Sequence, residues 1–378
     1  MTSSTSLYVR IRHLLSIVLL CAYGCSSTAT FPDATGGDRP IKESGTPAIA
    51  ILPVVNFSNT PAPLDSIDRQ WRQGLKKRGL NLLDADIVER VITRNRIRYT
   101  GGLDPVTAQA FKTQADADAV LVMVLELYSD VQPPKIALNA RLVSTSPQTR
   151  ILWIDGIGLA GDDAPGLLDL GLIEDPARLA AKALDDLADS LARHLSPDPG
   201  PDARQSVRRN FRPQMSFQSL ELVPGKTYRV AVVPFFNLSE RKRAGDFMAL
   251  LFARALSVHD NITIIEPGTV RQQLLDLRII MPSGISLANA DLVFHRLNAD
   301  LILNGEVLDY QDYRGASGSP KVDFSAQLIE KNSREVVWTA KSYKRGDDGV
   351  YFFDWGKAHT AHELARQMVA LAVEDMIE

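Results

Sequence analysis

The sequence predicts an α/β protein: two tandem repeats of a mixed-sheet domain, each ordered βαβααβββα, with helices packed on the sheet. Three observations predict this. The first is self-similarity. Ile49-Ala-Ile-Leu-Pro-Val-Val-Asn-Phe-Ser58 aligns with Val230-Ala-Val-Val-Pro-Phe-Phe-Asn-Leu-Ser239 at an offset of 181. Leu80–Glu89 aligns with Ile262–Arg271, and Ala115–Leu121 with Leu297–Leu303, both at 182. Ile151-Leu-Trp153, Gly161-Asp-Asp163 and Leu167–Gly171 align with Val336-Val-Trp338, Gly346-Asp-Asp348 and Phe352–Gly356 at 185. Ordered matches at a nearly fixed period mark a repeated structural unit. The second observation is that 49–55 and 230–236 are continuous apolar runs, as strands buried on both faces require. The third is that the later strands alternate, as in Val322-Asp-Phe-Ser-Ala-Gln-Leu-Ile329, which fits an antiparallel hairpin with one covered face.

The elements follow in order. Pro53 and Pro234 cannot donate to a ladder, so they mark the end of the first strand or a bulge. A helix is predicted at 64–79 and 240–258, then a strand at 80–84 and 262–266. A short helix follows, opened in the second copy by Pro267. The next helix spans 105–115, opened by Asp104 and Pro105, and 287–297, capped by Ser286. Three strands come next, at 118–128, 135–144 and 149–160, matched by 300–310, 321–330 and 334–344. Each half closes on a helix, 176–195 and 357–377, whose leucines and methionines recur at helical spacing.

The repeats are predicted at 48–195 and 230–378. Residues 196–229 begin Ser196-Pro-Asp-Pro-Gly-Pro201 and carry Arg204, Arg208, Arg209 and Arg212, which reads as a semi-rigid linker with solvated charges. The chain has 378 residues, 45% apolar and 23% charged, with a formal charge of −3. That composition suits a globular protein and lacks the basic footprint of a nucleic-acid binder. Both cysteines, Cys21 and Cys25, lie in the first 25 residues, so the body holds neither a disulfide nor a cysteine metal site.

Arg10, Arg12 and His13 precede the apolar run Leu14–Ala22, the form of a secretory signal and too short for a membrane span. The run ends Ala22-Tyr23-Gly24-Cys25, which resembles a bacterial lipobox. The resemblance implies a signal peptide over 1–24, lipidation at Cys25 and a lipidated flexible tether over 25–47. Ser26 after the cysteine implies delivery to the periplasmic face of the outer membrane, with the lipid in its inner leaflet.

The strand ending Pro234-Phe235-Phe236-Asn237 and the later run Ala299-Asp300-Leu-Ile-Leu-Asn-Gly305-Glu-Val307 resemble a group of bacterial envelope α/β domains. The group includes the N-terminal domain of TolB, the curli secretion lipoprotein CsgG and the penicillin-binding-protein activator LpoB. The first half keeps Pro53, Asn56, Ala117 and Asp118 but has Val54 and Met123 where the pattern has Phe and Gly. The resemblance implies a non-enzymatic protein that acts through protein contacts.

Candidate site residues are few. Asn56 and Asn237 sit just past a strand, as turn formers or as lining of a cleft at the strands' carboxyl ends. Asp162-Asp163 and Asp347-Asp348 read first as turns, with cation binding or acid–base chemistry as the alternative. Phe352, Phe353 and Trp355 form an aromatic cluster, read as core or as a partner anchor. His359 and His362 lie one turn apart, but the order fits no metalloprotease signature, so they are expected on a solvated helix face. Gly225-Lys226-Thr227 leads into a strand, not a helix, so it is not a phosphate loop. No metal or cofactor is expected. The expected function is a lipid-anchored periplasmic protein that scaffolds or regulates an envelope or secretion assembly, with oligomerisation open. The alternatives are a LpoB-like activator of peptidoglycan synthesis, a CsgG-like channel component, for which 129–134 and 311–320 look too short, and a hydrolase using the Asp pairs.

Overall fold

Ile49–Ile51 (β1) is buried at every position, and its hydrogen-bonded neighbour is not the next strand in the chain. It pairs in parallel with Ala119–Ser129 (β3), Ile49 opposite Ala119. After Pro53 the chain re-enters the sheet as Val55–Asn56 (β2), farther along β3. Lys135–Ser144 (β4) and Ile151–Ala160 (β5) follow antiparallel, giving the order β1-β3-β4-β5. The computed structural model describes residues 46–163, 171–196, 211–219, 226–279, 285–313, 315, 318–350 and 356–377. Cys25, the signal and most of the tether, and Phe352, Phe353 and Trp355, lie outside them.

The helices of this half are Leu64–Lys77 (α1), Ala85–Arg94 (α2), Pro105–Ala115 (α3) and Pro176–Leu195 (α4). Asp104 caps α3 by accepting from the amides of Val106 and Thr107, and Asp175 caps α4 through Ala177 N. Ile67, Trp71 and Leu75 recur every four residues, so α1 buries one stripe and leaves the rest in water. The strand predicted at 80–84 reduces to one bridge, Leu82 to Ile49.

The second sheet is larger. Tyr228–Val232 (β7), Phe236–Asn237 (β8), Ile262–Ile264 (β9), Leu301–Gln311 (β10), Lys321–Glu330 (β11) and Val336–Arg345 (β12) reproduce the same pairing, with β9 added beside β7. The extra residue is Glu126 in β3 and Leu308 in β10, matched bulges 182 positions apart. The helices are Ala244–Leu256 (α5), Pro267–Asp276 (α6), Leu287–Leu297 (α7) and Ala361–Ile377 (α8). The stretch read as a linker is partly structure: Met215–Gln218 (β6) pairs with β12 at the sheet edge, and Phe211 is buried in the second core. An apolar ring in a polar segment gains enough by burial to hold that segment against the sheet.

Residues 46–378 form one unit in which the two halves stack. α1 and α4 cover one face of the first sheet. On its other face, α2 and α3 cover one end of the strands. The remainder of that face rests on α5 and α8, which also cover the inner face of the second sheet: Val124, Phe57, Ile151 and Ile154 pack into the core that α5 and α8 build. Lying between two sheets, α5 buries eleven of its thirteen residues, including Phe247 and Phe252, each contributing roughly 2 kcal/mol. On the far face of the second sheet, α6 and α7 cover the end around Ala231, Ile302 and Ile329. The rest of that face carries half-exposed side chains such as Asp323, Ser325 and Thr339.

Candidate functional site

The densest polar chemistry lies along the seam between the halves. β3 is an apolar strand with one acid, Glu126, at its bulge. Bulges re-aim a side chain, and this one sends a carboxylate, 1% exposed, into the seam. Its Oε2 accepts from Asn139 Nδ2 at 2.7 Å and meets His362 Nδ1 at 2.8 Å. Tyr310 donates to Oε1 at 2.5 Å, and Arg241 donates to the Glu126 carbonyl and, at 2.9 Å, to the Ser58 carbonyl. Burial pushes the Glu126 carboxyl up, but His362, with Tyr310 and Arg241, outweighs it and holds the pKa below the usual value. Burial, and then the Glu126 charge, push the Tyr310 phenol well up.

His362 is 1% exposed, which corrects the expectation of a solvated helix face. Its burial depends on the opposite strand: a Cβ on Gly156 would lie 2.9 Å from the His362 ring, and one on Gly158 would lie 2.4 Å from Thr360 Oγ1. Glycine within a strand marks a close approach, here the start of α8 against β5. His359, 6% exposed, is also off the solvent face. Its Nδ1 lies 3.2 Å from Asp162 Oδ1 and 3.3 Å from the Tyr313 hydroxyl. Burial pushes Asp162 up, but His359 holds it below its ordinary value. Lys135 Nζ donates to the Tyr313 carbonyl at 2.9 Å, and burial lowers its pKa to about 8.

Asp162, Asp163 and His359 each offer a ligand atom within 4.8 Å of the others, so this corner could receive a cation. Lys135 stands close enough to influence Asp162 and opposes a cation there. A third contact is a buried ion pair. Arg141, 1% exposed, donates to Glu266, 0% exposed, at 2.9 Å and to the Gly101 carbonyl at 2.7 Å. Glu266 also caps α6 through Thr269 N. A cleft of about 550 Å³ opens on the same seam between β5, α4, α5 and α8, where Arg254 pairs with Asp155 at 2.7 Å.

The residues singled out from sequence do not gather into one site. Asn56 Oδ1 accepts from Ser58 N at 2.9 Å and its Nδ2 donates to the Thr60 carbonyl; Asn237 does the same with Ser239 and Arg241. Both close local turns, and the first turn is a docking point for Arg241. Asp163 Oδ2 accepts from Ala160 N and Asp348 Oδ2 from Arg345 N, again turns, while Asp347 N donates to Ser319. Sequence reasoning missed Glu126, Arg141, Glu266 and the seam role of His362. The available signals were the lone acid in an apolar strand and two glycines inside β5.

No family model matches the chain, and no curated protein matches it. Solved structures do. The PelC dodecamer from Paraburkholderia phytofirmans is 20% identical over 42% of this chain and 92% of its own, with a TM-score of 0.31. Lipoprotein GNA1162 from Neisseria meningitidis is 19% identical over 38% of this chain and 99% of its own, TM-score 0.28. The LpoB C-terminal domain from Salmonella enterica is 15% identical over 32% of this chain and 86% of its own, TM-score 0.23. Each likeness spans less than half of the chain.

Proposed function

We propose that the chain is a lipid-anchored, non-catalytic envelope protein of the periplasmic face of the outer membrane, which scaffolds or regulates an assembly by docking. One observation carries the docking part. The sheet face that is buried in the first half is open in the second: every residue of β4 is buried, whereas its counterpart β11 alternates buried and half-exposed. A sheet face with no partner layer among the described residues offers a flat recognition surface. The polar seam residues are engaged with each other across the halves, which supports a structural use of that chemistry. No helix among the described residues is long and apolar enough to cross a membrane, and the Cys25 motif supplies the anchor in this reading.

Two measurements test it. Cys25→Ala is expected to move the chain from the membrane to the soluble fraction; retention on membranes would sink the anchor. A photo-crosslinking amino acid at Ser325, on the open face, is expected to capture a protein in cells, and one at Glu89 on α2 is not. Absence of crosslinks from Ser325 removes the docking reading.

A further inference from the structure

The seam between the halves is a head-to-tail contact. The sheet face of the first half meets the helix layer of the second. Head-to-tail contacts use two different surfaces, so each unit keeps one of each. Among the described residues, the second half therefore ends in an unused sheet face, and the first half begins with an unused helix layer, the outer sides of α1 and α4.

Three features of the open face coincide with the seam, position by position. Leu238, Leu308 and Val336 are large apolar residues, 54%, 39% and 36% exposed. They match Phe57, Glu126 and Ile151 at offsets of 181, 182 and 185. Within the chain those three engage the second half: the Phe57 ring lies 6.4 Å from that of Phe247, tilted by 43°, Glu126 binds His362, and Ile151 packs against the α5/α8 core. Single exposed apolar residues are ordinary; three at matched seam positions are not scattered.

A close approach of strand and helix on the seam adds complementarity of bulk. There the strand is reduced to Gly156 and Gly158, and the helix start supplies His362 and Thr360. On the free surfaces the sizes are exchanged. The matched strand positions are Lys341 and Tyr343, and the matched helix-start positions are Ala177 and Asp175. Lys341 and Ala177 are exposed, and so is Asp175. A large strand side chain then faces a small helix residue, and an ammonium approaches the acidic start of α4, where Glu174 and Asp175 stand together. Opposite charge at such a rim steers and registers an encounter.

We propose that the open sheet face of one chain is covered by the α1/α4 helix layer of a second copy, continuing the intrachain stack from chain to chain. This rests on the docking reading above and names the occupant of that face. A contact of this kind has no two-fold closure, so it generates a ring or a filament and not a discrete dimer.

The full chain in detergent, examined by native mass spectrometry and sedimentation at micromolar concentration, is expected to form assemblies of more than two copies. Leu308→Arg destroys the sheet surface and Ala177→Arg the helix surface. Each is expected to weaken assembly on the order of a hundredfold, the scale for an unpaired charge in a desolvated contact, and to leave a monomer. Each variant retains the surface that the other lacks. An equimolar mixture is therefore expected to give a one-to-one heterodimer and nothing larger. Because either variant could disturb folding, circular dichroism melting is compared, and a milder pair serves as a second arm. Lys341→Glu and Glu174→Lys, which leaves the Asp175 cap in place, should each weaken assembly, and together restore it. A wild-type chain that stays monomeric, or assemblies indifferent to all four substitutions, overturns the proposal. If the chain is monomeric while the crosslinker at Ser325 captures a different protein, the copy-to-copy contact is excluded and the docking reading survives.

Discussion

β4 and β11 occupy the same place in two sheets of the same order, yet β4 is buried at all ten positions and β11 at five, Val322, Phe324, Ala326, Leu328 and Ile329. The difference lies in the neighbours rather than in the strands' alternation. Both alternate apolar and polar residues, Ile136, Leu138 and Leu142 against Asn139 and Arg141 in one, Val322, Phe324 and Leu328 against Ser325 and Gln327 in the other. In β4 the polar set is covered by the second half of the chain and must find partners, because an unpaired buried polar group costs about 1–3 kcal/mol. Arg141 finds Glu266 across the seam, and Asn139 finds Glu126 of β3, whose carboxylate in turn meets His362 across it. In β11 the matched residues keep access to water. The helices show the same contrast. α5 buries eleven of thirteen residues between two sheets, and α1 three of fourteen on one. One repeat pattern thus yields an internal layer and an outer layer, depending on what is stacked upon it.

The largest break in this comparison comes from Arg141. Arg141→Ala leaves the Glu266 carboxylate buried without its cation, and losing one partner of a buried pair costs about 3–5 kcal/mol. The matched Gln327→Ala removes a hydrogen bond to Asn304 at a half-exposed position, and is expected to cost about 1 kcal/mol. Urea unfolding of both variants decides the matter; equal losses would mean that the seam does not distinguish the strands. Gly158→Ala comes next. The added Cβ would meet Thr360 Oγ1 at 2.4 Å and His362 Cβ at 3.0 Å, so the Thr360 hydroxyl and the His362 side chain must give way. Overpacking of this kind costs about 1–3 kcal/mol. Tyr343→Ala at the matched, half-exposed position creates no clash and should cost less, about 1 kcal/mol or under. A thermal melt in which Gly158→Ala is as mild as Tyr343→Ala would dissolve the close-approach argument.

The contrast also marks what could be read from the chain. Element order was legible because apolar runs, Pro53 and Pro234, and the caps Asp104 and Ser286 act locally. Alternation in β4 predicts one covered face and leaves the polar set to water, because it reports only that two faces differ. The contacts that bury them are set far off in sequence: Glu266 is 125 residues from Arg141, and His362 is 236 from Glu126, the partner of Asn139. The same distance hid His362, whose helix looks solvated until Gly156 and Gly158 are placed against it. β6 was hidden for a different reason: four residues in a polar stretch carry too little periodicity to announce a strand, and only the free edge of β12 recruits them.

The finest break uses two lysines at the same place. Lys135 opens β4 and Lys321 opens β11, 186 residues apart. Lys321 pairs with Asp309 at 2.6 Å, which raises its pKa. Lys135 is 3% exposed beneath Tyr313, and burial lowers its pKa to about 8 against 10.5 for the free side chain, despite the opposing pull of Asp312, Asp162 and Asp163. The unfolded chain then binds more protons than the folded one between about pH 8 and pH 10.5, so this lysine's contribution to stability rises with pH across that window and is flat below it. Screening by nearby water reduces the full linkage, leaving on the order of 1 kcal/mol. Wild type and Lys135→Met, unfolded by urea at steps from pH 8 to pH 10, should differ in slope, with the gain absent in the variant. Lys321→Met should not remove that gain, because its raised pKa works in the opposite direction. Parallel slopes for wild type and Lys135→Met would show that the ammonium at the head of β4 remains as well solvated as its counterpart, and that water reaches this end of the seam.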